Sequence, residues 1–142
     1  MEIPGKTPGP CPAGPLHGTR FRKGSSAPEA LLIDDDPGFV ETLAMLLQLE
    51  GYTVISKSTI EAAVQYLDAS TPDVLITDIA VGQSNGWELV RYAKQRNPDL
   101  HVVVVTGDAD LFAAKWEYFQ TPVFLKPFDP VELFDHIRQH LR

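Results

Sequence analysis

The 142-residue chain is 44% hydrophobic and 22% charged, which suits one globular domain with a full core. Its single cysteine, Cys11, excludes an internal disulfide and points to a reducing cytoplasm, and apolar runs such as residues 100–105 are too short to span a bilayer. Residues 1–29 hold four basic against two acidic residues, so the formal charge of −7 leaves −9 on the rest of the chain, which argues against nonspecific nucleic-acid binding.

Residues 1–28 are rich in Pro, Gly and Ser and lack apolar periodicity, so they are expected to form a disordered tail ahead of a domain over 29–142. The domain opens with the buried strand "ALLID". A helix follows from about Pro37 to Glu50, with Phe39, Leu43, Leu46 and Leu47 on one face; Asp36 caps it and Gly51 ends it. "YTVIS" reads as the second strand, and Ser58 or Thr59 caps a helix carrying Ile60, Ala63, Val64 and Leu67. After Pro72 come the strand "DVLITD", a Gly/Ser/Asn-rich loop and the helix "GWELVRYAKQR". "LHVVVVTG" is apolar almost throughout, as a strand buried on both faces would be. A short helix over "LFAAKWEYF", a strand at "PVFLK" and a final helix at "PVELFDHIRQHLR" complete the pattern. Strands alternating with helices predict a doubly wound α/β domain, with five parallel strands and helices on both faces.

In that architecture ligands bind at the carboxyl ends of the strands. The first strand delivers Asp34 and Asp35 to that edge, the third Asp78, the fourth Thr106 and the fifth Lys126. Taken singly, Thr106 reads equally well as a capping hydroxyl and Lys126 as a solvated charge. Their arrival together beside three carboxylates points instead to a site. Oxygen ligands alone suit a hard cation such as Mg²⁺, which would relieve the crowding of Asp34, Asp35 and Asp36.

The motifs "LLIDDD", "DVLITDIAVGQSNGWEL", "VVVVTG" and "FLKPF", in this order and spacing, resemble those of the response-regulator receiver domains of two-component signalling. The resemblance implies a flavodoxin-like sheet of strand order 2-1-3-4-5. It implies that Asp78 accepts a phosphoryl group from a phosphohistidine on a sensor histidine kinase or phosphotransfer protein, as a signalling phosphoacceptor rather than a turnover enzyme. Asp34, Asp35, Asp78 and the backbone carbonyl of Ala80 would hold Mg²⁺. Lys126 would pair with one phosphoryl oxygen and Thr106 with another.

Three features depart from the family pattern. The loop after Asp78 lacks the usual Met-Pro, Val123 stands where a switch aromatic is common, and the stretch from Thr106 to Lys126 is short. A haloacid-dehalogenase-like hydrolase with Asp34 as nucleophile and Asp36 as acid/base is a competing reading, although it leaves Asp78 without a role. A pseudo-receiver acting only as a binding module is another. The sequence stops after the last helix, so a stand-alone receiver is expected. Its partner or dimer surface is expected on the fourth helix, fifth strand and fifth helix, where Phe112, Trp116, Tyr118 and Phe119 cluster. No nucleic-acid or membrane partner is expected.

Overall fold

A computed structural model describes residues 27–110 and 121–141. Its elements in chain order are β1 (Glu29–Ile33), α1 (Pro37–Leu49), β2 (Thr53–Lys57), α2 (Ile60–Ala69), β3 (Val74–Asp78), β4 (Ala80–Val81) and β5 (Ser84–Asn85). They continue with α3 (Gly86–Arg96), β6 (His101–Thr106), β7 (Val123–Leu125) and α4 (Pro130–Leu141). Most of the expected tail and the helix expected over 111–119 lie outside the described residues. Pro28, inside the expected tail, is buried and its carbonyl accepts from the Thr53 amide at 2.9 Å.

Five strands form one sheet in the order β2-β1-β3-β6-β7, every neighbouring pair parallel. Skipping the small β4–β5 pair, this is the expected 2-1-3-4-5 order. The period of two along each strand divides the core into two layers. Leu31, Ile33, Leu75, Val102 and Val104 pack with Ala63 and Leu67 of α2 and with Leu89, Val90 and Ala93 of α3. Leu32, Val74, Ile76, Val103 and Val105 face the other way, toward Leu43 and Leu47 of α1 and Leu133, Phe134 and Ile137 of α4. Each fully buried Leu, Ile or Val contributes about 1.5–3 kcal/mol of hydrophobic transfer, so both layers are needed to hold the strand ends in place.

Local chemistry sets the helix boundaries. Asp36 Oδ1 accepts from the amides of Gly38 and Phe39 at 3.1 and 3.4 Å, with Pro37 at the first helical position. Thr59 caps α2 through the Ala62 amide, Asn85 caps α3 through Trp87, and Asp129 accepts from Val131 at the start of α4. Gly51, at φ 103°, turns the chain out of α1.

The loop after Asp78 is more ordered than its composition suggests. β4 and β5 pair antiparallel about Gly82, whose φ of 62° falls in the left-handed region that glycine favours. The Gly86 amide then donates to the Ile79 carbonyl at 2.6 Å, closing the hairpin onto the start of α3. A Cβ on Gly86 would lie 2.1 Å from the Asp78 carbonyl oxygen, so no side chain fits while β3 and α3 keep this approach. Gly86→Ala is therefore expected to destabilise the domain by about 3 kcal/mol, the upper end of ordinary overpacking, in urea unfolding. A variant within the error of the native chain would show that β3 and α3 separate freely.

Candidate functional site

The sheet register alone assembles the site. Ile33 pairs with Thr77, so Asp34 emerges beside Asp78; Asp78 pairs with Val105, placing Thr106 one step beyond. Thr106 pairs with Leu125, which puts Lys126 next along the same edge. Four strands thus deliver Asp34, Asp78, Thr106 and Lys126 to one line.

Lys126 lies between the carboxylates. Its Nζ donates to Asp34 Oδ2 at 2.7 Å and to Asp78 Oδ2 at 2.9 Å, and it sits 4.2 Å from the centroid of the Phe39 ring. The Asp34 and Asp78 side chains are only 1% and 12% exposed, so their charges must be met inside the protein. Burial raises the Asp34 pKa, against the lowering effects of Lys126 and the Asp36 amide. Burial would also push Lys126 down, but its hydrogen bonds to Asp34 and Asp78 outweigh this and hold its pKa above the ordinary value. We read the 2.7 Å contact as an ion pair with both charges retained. One ammonium shared by two carboxylates leaves Asp34 short of compensation, and a further cation would supply it.

The remaining groups are held by the backbone. Asp78 Oδ1 accepts from the Ala80 amide at 3.2 Å, which fixes the carboxylate's rotation. Asp35 Oδ2 accepts from the Gly82 amide at 2.7 Å, tying the end of β1 to the β4–β5 hairpin. Thr106 is buried; its Oγ1 accepts from the Asp108 amide at 3.0 Å, while its carbonyl accepts from the Lys126 amide at 2.7 Å. Among the described residues no group accepts the Thr106 hydroxyl proton. Asp36 is exposed, with its carboxylate taken up by the helix cap. Two neighbours of the site carried no separate signal in the sequence. Phe39 reads there as a core residue yet lies against the lysine, and Gly82 reads as a loop residue yet holds Asp35.

The oxygens of Asp34, Asp35 and Asp78 form a hard donor set at one edge, and under-compensated burial at Asp34 gives it reason to bind a dication. An open cleft of about 890 Å³ between α1 and β2 reaches Asp34 and Asp35.

The chain belongs to the response regulator receiver domain family, which it matches over residues 30–138. It is 30% identical over 115 residues to the heme response regulator HssR of Staphylococcus saprophyticus, covering 79% of this chain and 50% of that protein. It is 36% identical over 119 residues to the DNA-binding transcriptional regulator NtrC of Klebsiella pneumoniae, covering 78% and 25%. The chain therefore spans half or less of the length of these relatives. Among solved structures, a putative response regulator from Chloroflexus aurantiacus superposes with a TM-score of 0.74 at 28% identity, covering 82% of this chain and 98% of that one. The response regulator TrrA of Thermotoga maritima, in complex with Mg²⁺ and beryllofluoride, superposes with a TM-score of 0.73 at 23% identity, covering 80% and 99%. At that identity the likeness speaks for the fold.

Lys126→Met tests the charge balance of the site. Without added metal it is expected to lower stability by roughly 2 kcal/mol, below the range for a fully buried pair because Lys126 is partly exposed. Millimolar Mg²⁺ should raise the variant's melting temperature more than the native chain's. A variant with native stability and a native Mg²⁺ response would show that the lysine does not compensate the carboxylates.

Proposed function

We propose that this domain is a phosphoacceptor in a cytoplasmic phosphorelay, taking a phosphoryl group from a phosphohistidine of a kinase or phosphotransfer protein onto Asp78. The observation that carries this reading is the Asp78 carboxylate, buried at the sheet edge between the Ala80 amide and the Lys126 ammonium. In the step, an Asp78 oxygen forms the new O–P bond as the P–N bond breaks, and the electron pair returns to the histidine imidazole. Lys126 shifts from the carboxylates to a phosphoryl oxygen, and Thr106 donates its hydroxyl proton to another, so charge developing on the transferring group meets partners already at the site. Mg²⁺ bound by Asp34, Asp35, Asp78 and the Ala80 carbonyl would supply further charge neutralisation. The Thermotoga neighbour, which shares the fold, is itself a complex with Mg²⁺ and beryllofluoride. The hydrolase alternative loses ground because Asp36 is engaged as a helix cap.

Acetyl phosphate with Mg²⁺ should add one phosphoryl group to the chain, read by intact mass, and Asp78→Asn should abolish it. Labelling that persists in Asp78→Asn, or an adduct mapped to Asp34, sinks the assignment.

The signal is read by a protein partner or a second copy at the face carrying β7 and α4. Val123 is buried in the core and Phe124 packs against Phe128 and His136, so no aromatic stands at the switch position on β7. The Thr106 loop, drawn toward the phosphoryl group, would instead alter that face without a turning ring. With Trp87→Phe leaving Trp116 as the sole tryptophan, Mg²⁺ and beryllofluoride should change its fluorescence or the oligomeric state. Silence in both, with ligand bound at Asp78, would refute this route.

A further inference from the structure

Three of the chain's four histidines meet at one place, and the phosphoacceptor site uses none of them. His101 is the first residue of β6, level with Val74 at the start of β3, and so belongs to the edge of the sheet opposite Asp78. At a rise of about 3.3 Å per residue, it lies roughly 17 Å along the strand from Thr106. His136 and His140 stand one helical turn apart on α4, an i, i+4 pair facing the same way. The ring centroids are 5.0 Å apart for His101–His136, 4.5 Å for His136–His140 and 4.2 Å for the stacked pair His101–His140. One ring nitrogen from each imidazole lies within 4.8 Å of the others.

Packing alone does not account for this cluster. Nε2 of His101 and Nε2 of His136 are buried with no hydrogen-bond partner among the described residues, a cost that an apolar ring would avoid. His140 is prepared differently. Its Nδ1 lies 2.9 Å from the His136 carbonyl, which can only accept, so in the neutral ring Nδ1 carries the proton and Nε2 offers the lone pair.

We propose that His101, His136 and His140 form a binding site for a divalent transition metal ion of the zinc class, with water in the fourth position. Three neutral imidazoles are the donor set that Zn²⁺ accepts and Mg²⁺ does not, so the two ends of the sheet select different ions. Burial and the neighbouring His140, His136 and Lys94 push the His101 pKa down to about 3, and burial with His140 lowers that of His136. Protons therefore compete weakly for these rings. The Lys94 ammonium opposes a cation here, although its Nζ is bound to the Leu100 carbonyl at 2.9 Å. Zn–N bonds of about 2.0 Å in a tetrahedron set nitrogens about 3.3 Å apart. Coordination thus draws the rings together and opens the His101–His140 stack, because lone pairs in parallel ring planes do not converge. The bound ion fastens the last turns of α4 to the start of β6. This site stands independently of the phosphoacceptor reading.

The test is a Zn²⁺ titration of the full chain in millimolar Mg²⁺, which keeps the carboxylate edge occupied, read by competition with a chromophoric chelator. Co²⁺ absorption reports the geometry. One equivalent of Zn²⁺ should bind, and Co²⁺ should give the intense visible bands of tetrahedral nitrogen ligation. His140→Ala, at an exposed position, should weaken Zn²⁺ at least about 100-fold, more than losing an outer partner of a ligand does. It should leave acetyl phosphate labelling of Asp78 unchanged. His101→Ala should do the same where the variant melts cooperatively. The other soft ligands, Cys11 and His17, provide the control: Cys11→Ala with His17→Ala should bind as the native chain does. The proposal is overturned by the lack of one-equivalent binding, by undiminished binding in His140→Ala, or by loss of binding in the Cys11/His17 double variant.

Discussion

Like charges at the end of a parallel sheet are the constraint on which the structure turns. Asp34 and Asp78 emerge from adjacent strands in matching register, and both are buried. Two carboxylates so placed repel each other and lose their water, so a cation that reaches them stabilises the fold. Lys126 is that cation. It comes from two strands away in the sheet, nearly fifty residues beyond Asp78 in sequence, with its ammonium within 2.9 Å of both. Phe39 beneath the ammonium adds a ring face to a cation already partly desolvated. The elements that bury the carboxylates also bring their counter-charge, so core packing and site electrostatics form one problem with one solution.

The backbone around Asp78 is constrained as tightly as its side chain. Gly86 lets α3 begin against the Asp78 carbonyl, and the Thr77 hydroxyl donates to that same oxygen at 2.9 Å. The β4–β5 hairpin fills the space between β3 and α3, and through Gly82 it reaches back to Asp35. The carboxylate proposed as nucleophile thus sits on a peptide held from both sides. Pre-organisation of this kind lets a weak nucleophile work, because little motion is needed when charge develops.

Much of this was legible from residue order, for identifiable reasons. Apolar alternation and helical periodicity report burial directly, and caps such as Asp36 and Thr59 act within three residues of themselves. The rule that ligands gather at strand C-termini then placed Asp34, Asp35, Asp78, Thr106 and Lys126 on one edge before any distance was known. What escaped depends on contacts between residues distant in sequence or on backbone geometry. The hairpin around Gly82 is two residues per strand, too short for a period to register. Phe39 reads as one more apolar position on α1 until Lys126 is seen above its ring. His101 and His136 are 35 positions apart and carry no spacing signature; only the docking of α4 beside β6 brings them together.

Strand β6 joins these observations. It is buried along nearly its whole length, with Thr106 at one end and His101 at the other. At the Thr106 end, the Lys126 amide donates to the Thr106 carbonyl at 2.7 Å, and the Val104 amide donates to Pro122 at 2.9 Å. The residue proposed to follow the phosphoryl group is therefore bonded through its backbone to the residue proposed to neutralise it. A displacement of Thr106 cannot be absorbed between β6 and β7 without breaking those bonds in a buried setting, which is costly. Nor can it pass down β6, whose side chains are packed on both faces. A displacement of Thr106 would therefore be carried with β7 toward the face that this strand shares with α4, where Phe124 packs against Phe128 and His136. Val123 is already buried at the start of that strand, so such a response would take the form of a shifting strand rather than a turning ring.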